Sequence, residues 1–95
     1  MRSRYVAYVE RDAAYLRASW HVSTRPSRIH FEDARAWLGL KIHDVVAGGE
    51  QDDEGQVEFT ARYKDVANGP ASRLKERSRF VREASVWYYV MNLET

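Results

Sequence analysis

Ninety-five residues suffice for one domain with a small core but not for two, so residues 1–95 are read as a single unit. Hydrophobic residues make up 44% and aromatics 13%, which excludes a disordered chain. With 15 basic and 14 acidic residues the net charge is +1, so no electrostatic footprint for nucleic acid is expected. The absence of cysteine removes disulfides, thiolate catalysis and cysteine-based zinc sites, and no run approaches the roughly 18 apolar residues of a membrane helix.

Residues 2–10, RSRYVAYVE, place Tyr5, Val6 and Val9 at helical spacings of three and four. This N-terminal stretch lacks an apolar core of signal-peptide length, so a cytoplasmic location is expected. Asp12 is positioned to cap a second helix over 13–20, in which Leu16 and Trp20 lie one turn apart; one kinked helix is the alternative. Residues 23–27 read as a loop, because Pro26 cannot continue a helix.

Ile29, His30 and Phe31 suit either a short strand or a packed loop. Residues 37–46 form a strand with Leu38, Leu40 and Ile42 on one face and Lys41 and His43 on the other. The acidic, glycine-rich residues 47–55 make a solvated hairpin loop. Asp52, Asp53 and Glu54 lack the ligand spacing of a calcium loop, and His21, His30 and His43 are scattered, so no metal and no cofactor are expected.

Residues 56–64 alternate cleanly, with Val57, Phe59, Ala61 and Tyr63 on one side and Glu58, Thr60 and Arg62 on the other. Asn68-Gly69-Pro70 marks a turn. A long C-terminal hairpin over 73–90 follows. Leu74, Glu76, Ser78, Phe80 and Arg82 share one parity, Glu83-Ala84-Ser85 turns the chain, and Val86 to Val90 suit a pleated sheet. Helices first and an antiparallel meander afterwards make an α+β fold in which the helices cover one sheet face.

Six stretches taken in order, MRSRYVAYVERDAAYL, SWHVSTRP, WLGLKI, GQVEFTARY, ERSRFVRE and VWYYV, together resemble the YchJ-like (UPF0225) proteins over residues 1–90. The resemblance implies a nuclear transport factor 2-like (cystatin-like) cone, with N-terminal helices in the hollow of a bent antiparallel sheet. It brings no reaction with it. Such domains are often flanked by SEC-C motifs, cysteine-rich zinc-binding segments that the present 95 residues do not contain. Met91-Asn92 stands where the family's ending has aspartate and glycine. The family's equivalent of Met1 is commonly internal, which implies an internal start or a trimmed chain.

Cones of this kind often enclose a cavity, so ionisable residues sharing parity with the core become candidates. Glu76 and Ser78 lie between Leu74 and Phe80 on the inward parity, and a buried carboxylate must be paired, hydrogen-bonded or protonated. The candidate pocket is Tyr15, Trp20, His21, Glu76, Ser78 and Phe80, with Glu76 as base or ligand anchor. The competing reading pairs Glu76 with Arg2 or Arg4 as a helix-to-sheet lock, makes Trp20 a core plug, and has His21 cap the second helix. Glu58 and Arg62 are expected to pair outward with the strand carrying Arg77 and Arg79.

Aromatics of both parities at the chain end suggest a second apolar face, around Trp87 and Tyr89, as a subunit or partner interface. Trp37, Trp87, Tyr88 and Tyr89 with Arg77, Arg79 and Arg82 would also suit base stacking, a more distant reading. Two functions are therefore expected. The first is a non-catalytic accessory module that forms a homodimer or binds a protein partner. The second is a small-molecule binder, or a lyase or isomerase, using Glu76; neither nucleic acid nor membrane is expected as a partner.

Overall fold

The computed structural model describes residues 1–31, 35–65 and 69–93. Helix α1 spans Arg2–Glu10 and α2 Ala13–Ala18, followed by strands β1 Ala36–Ala47, β2 Glu54–Lys64, β3 Ser72–Glu83 and β4 Val86–Asn92. The strands form one antiparallel sheet in the order β1-β2-β3-β4, the meander expected from an α+β chain.

Two helices form because Arg11 adopts the left-handed conformation, with φ 56°. The Arg11 N–H returns to Tyr8 O at 3.3 Å and the Asp12 N–H to Ala7 O at 2.8 Å, which closes α1. Asp12 then caps α2, its Oδ1 accepting from the Tyr15 N–H at 3.0 Å. The second helix is shorter than expected. It stops at Ala18, and Trp20 makes an isolated parallel bridge to Tyr89 on the edge of β4, where Tyr89 N–H donates to Ser19 O and His21 N–H to Tyr89 O at 2.9 and 2.7 Å. Thr24 Oγ1 adds a bond to Val90 O at 2.6 Å, so this segment covers an edge that would otherwise offer unpaired backbone.

No strand forms at residues 29–31; Phe31 instead meets the Tyr8 ring edge-on at 6.1 Å. The turn expected at residues 68–70 includes Asn68, which lies outside the described residues. In β1 the simple alternation fails. Register shifts between Trp37 and Gly39 and between Ile42 and Asp44 insert extra residues, so Trp37, Leu40 and Ile42 lie opposite Tyr63, Ala61 and Phe59. Leu38, expected to share one face with Leu40 and Ile42, is 43% exposed. A third shift, between Arg79 and Phe80, sets Phe80 opposite Tyr89.

The core lies between the helices and one sheet face. Ala7 and Leu16 from the helices and Phe59, Ala61 and Tyr89 from the sheet are all buried. Edge-on and tilted rings continue the contact: Trp37 lies 6.0 Å from Tyr5 and from Tyr8 and 5.6 Å from Tyr63, and Trp20 lies 4.9 Å from Tyr89. The opposite face carries charge. Arg77 bonds Glu58 at 2.8 Å and Asp44 at 3.4 Å, Lys75 reaches Glu58 at 3.6 Å, and Arg79 pairs with Glu54. Among the described residues no helix is long and apolar enough to cross a membrane.

Candidate functional site

The helix-covered face holds two adjoining cavities. The first, about 290 Å³, is lined mainly by Val45, Val57, Phe80, Trp87 and Tyr89, with Ser3 and Tyr15 from the helices. The second, about 220 Å³, is lined by Tyr5, Tyr8, Trp20, Trp37, Leu74 and Glu76 among others. Met1, Arg4 and Tyr89 line both.

Arg4 is therefore the central side chain. On α1 it shares a face with Ala7 and Tyr8, three and four residues on, and that face packs inward. Only 6% of Arg4 is exposed. Its guanidinium lies 3.7 Å from the Tyr89 ring centroid, 4.5 Å from Trp20 and 5.4 Å from Tyr8. Nη2 donates to the Tyr8 hydroxyl at 3.3 Å, whereas Nη1 is buried with no hydrogen-bond partner. Burial pulls the guanidinium below its ordinary pKa, against the favourable fields of Tyr8, Tyr89 and Glu76. Burial also raises the Tyr89 phenol to about 12, with the Glu76 charge adding to the effect. At neutral pH the site thus presents a cation and an un-ionised phenol.

Glu76 faces inward, as its parity requires, but it does not pair with Arg2 or Arg4. Its Oε2 accepts the Ser78 hydroxyl at 2.7 Å, two residues along the same strand face, while Arg4 is held among the rings. The expected helix-to-sheet lock is not formed. Ser78, fully buried, serves Glu76 rather than opening on a cavity. Phe80 lines the first cavity, edge-on to Tyr89 at 5.8 Å. Tyr15 lines its mouth and donates to Ser3 Oγ at 2.7 Å. Trp20 lines the second cavity and donates from Nε1 to Thr24 Oγ1 at 3.1 Å.

His21 is not in the site. Neighbouring residues of an extended segment point to opposite sides, so with Trp20 turned inward His21 turns outward. There it lies 6.1 Å from the Tyr88 ring, with Nε2 2.8 Å from Glu83 Oε2 and Nδ1 2.7 Å from Ser23 Oγ. It lines neither of these two cavities, bordering instead a separate polar depression with Ser23, Asp53, Arg79 and Glu83, and it does not cap α2, which ends at Ala18.

The Trp87 and Tyr89 placement also differs from expectation. Both lie on the helix-covered side, Tyr89 only 7% exposed and Trp87 at the first cavity. An outward face around them is not present; the outward face of the sheet carries the ion pairs instead. Arg77 holds the Glu58 carboxyl below its usual pKa by hydrogen bonding, and Glu58 raises Arg77 in return. The outward pairing expected of Glu58 is with Arg77 and Lys75. Exposed apolar side chains gather on β1, at Leu38, Val45 and Val46, and on α1, at Val6 and Val9.

Arg4 was legible only as a partner for Glu76. The available signal was the spacing Arg4-Ala7-Tyr8, which puts a cation in the middle of an apolar helix face.

Comparison with known proteins agrees with this architecture. The family model described as YchJ, middle NTF2-like domain, matches residues 1–92. A UPF0225 protein of Chromobacterium violaceum is 51% identical over 96 residues, covering 98% of this chain and 70% of that protein. A UPF0225 protein of Xanthomonas oryzae pv. oryzae is 48% identical over 92 residues, covering 95% of this chain and 69% of its own length. Among solved structures, a SEC-C motif containing protein from Rhodopseudomonas palustris superposes with a TM-score of 0.84 at 28% identity. That match covers 100% of this chain and 75% of the other.

Proposed function

The chain belongs to the YchJ (UPF0225) family, as its NTF2-like middle domain, and on that premise we propose that it binds a small molecule between its helices and its sheet. The reading takes the domain as a cone whose hollow is the binding site. The three register shifts support the bend this requires, since bulges increase strand curvature.

One observation carries the proposal: Arg4, 6% exposed, keeps Nη1 without a partner beside two cavities. An unpaired buried cation costs several kcal/mol of desolvation, which the surrounding rings offset only in part, at about 0.5–2 kcal/mol each. A side chain needed only for packing would be better served by methionine. Retaining arginine there makes sense when its charge has a use in the bound state. Glu76 is the second polar group of the site, held by Ser78.

The test is native mass spectrometry of gently purified protein, beside thermal melts of wild type and Arg4→Met. A reproducible small adduct on wild type, lost in Arg4→Met while its melting temperature is unchanged or higher, is the expected result. A wild type that carries nothing, with Arg4→Met destabilised by more than about 2 kcal/mol, would make Arg4 a structural strut and end the proposal.

A second reading, dimerisation or partner binding, is favoured by a different feature. Strand β1 is an edge of 12 residues with Leu38 and Val46 exposed, and open edges template strand addition. It moves the interface from Trp87 and Tyr89 to β1. A doubled mass in the same spectra, abolished by Val46→Lys, would support it.

A further inference from the structure

We infer that the ligand is an apolar or aromatic monocarboxylate, its body in the first cavity and its carboxylate on the Arg4 guanidinium; this rests on the ligand-binding reading above. The argument comes from the difference between the two cavities. The second contains the Glu76 carboxylate, which repels an anion, together with closely spaced rings. Among the described residues lining the first there is no carboxylate; Arg4 supplies the cation, and Val45, Val57, Phe80 and Trp87 supply an apolar wall. One charged side chain, that of Arg4, beside an apolar volume selects a ligand with an anionic group and an apolar body.

The rest of the lining agrees. Tyr89 stays protonated far above neutrality, so it presents a neutral ring surface and adds no negative charge against the anion. Ser3 and Tyr15, hydrogen-bonded to each other at the mouth, add hydroxyls and no carboxylate. The guanidinium is already oriented by the Tyr8 hydroxyl and the Tyr89 ring, so a carboxylate would meet a donor group that is already held in place. At about 290 Å³ the cavity sits near the lower end of the roughly 300–1,000 Å³ typical of small-molecule sites, which favours a short chain or one or two rings.

The probes are trans-cinnamate and octanoate, each with its primary amide, titrated into the full chain and followed by amide NMR shifts. The carboxylates should bind about 10- to 100-fold more tightly than the amides, with the largest shifts at Val57, Phe80 and Trp87. Arg4→Met should remove the preference. Val57→Phe, which fills the first cavity and leaves Arg4 in place, should weaken both forms and gives an independent test if Arg4→Met does not fold. Amides that bind as well as the carboxylates would overturn the monoanion assignment. So would shifts centred on Leu74 and Glu76. If neither probe class binds while purified protein carries an adduct, the ligand class is wrong and the ligand-binding reading stands. If there is also no adduct, both fall.

Discussion

The Arg4 guanidinium packs against the Tyr89 ring, 3.7 Å from its centroid, joining α1 to β4 through a cation and an aromatic face rather than through an ion pair. Trp20 closes the other side, 4.9 Å from Tyr89. The contact couples the helix, the terminal strand and the segment that covers its edge, and it offsets part of the cost of burying Arg4.

The same burial gives Tyr89 a distinctive alkaline signature. Its pKa of about 12 in the folded state, against 10.0 ordinarily, means that the folded protein holds this proton more tightly than the unfolded chain. The associated stability is fully present below pH 10 and is lost as pH rises toward 12, an effect on the order of 1–3 kcal/mol. Urea denaturation of wild type and Tyr89→Phe across this range should show a steeper alkaline loss for wild type. Identical pH slopes would mean that Tyr89 ionises as freely folded as unfolded.

The β3–β4 hairpin turns through Ala84 and Ser85, with φ of 51° and 66°. Two left-handed residues suit the strand twist, but alanine and serine lack the conformational freedom of the asparagine-glycine pair this turn prefers. Ala84→Asn combined with Ser85→Gly should therefore stabilise the domain by about 1–2 kcal/mol, raising the melting temperature by roughly 4–8 °C per kcal/mol. Calorimetry showing no rise would locate no strain at this turn.

On the outer sheet face Arg62 stands directly opposite Arg73 in the β2–β3 register, with Lys75 the next outward residue on β3. Like charges placed opposite each other destabilise a sheet, so Arg73→Glu should gain about 0.2–1 kcal/mol at low salt. The gain should shrink as added salt screens the pair. An equal gain in high and low salt would point away from charge as the cause.

Much of this architecture could be read from residue order. The strict alternation of Val57, Phe59, Ala61 and Tyr63 needs only the two-residue period of a strand, and β2 follows it. Asp12 as a cap and Ala84-Ser85 within the turn depend on neighbours a few residues away, and both hold. Leu38 was misplaced because a bulge is set by how two strands share hydrogen bonds, and no local pattern in β1 announces it. Trp20 and His21 fall outside the expected helix for a similar reason: the bridge that holds them is to Tyr89, far away in the chain.

What the sequence determined by itself is the α+β order, the inward parity of Glu76, Ser78 and Phe80, the family, and the lack of cysteine chemistry in these residues. Tertiary structure alone decided the site. Placing Arg4 among Tyr8, Trp20 and Tyr89, leaving it unpaired beside Glu76, and turning His21 outward all require the helices to be docked on the sheet. Burial and electrostatic environment belong to that docking, since each arises from side chains distant in sequence and adjacent only once the core has closed.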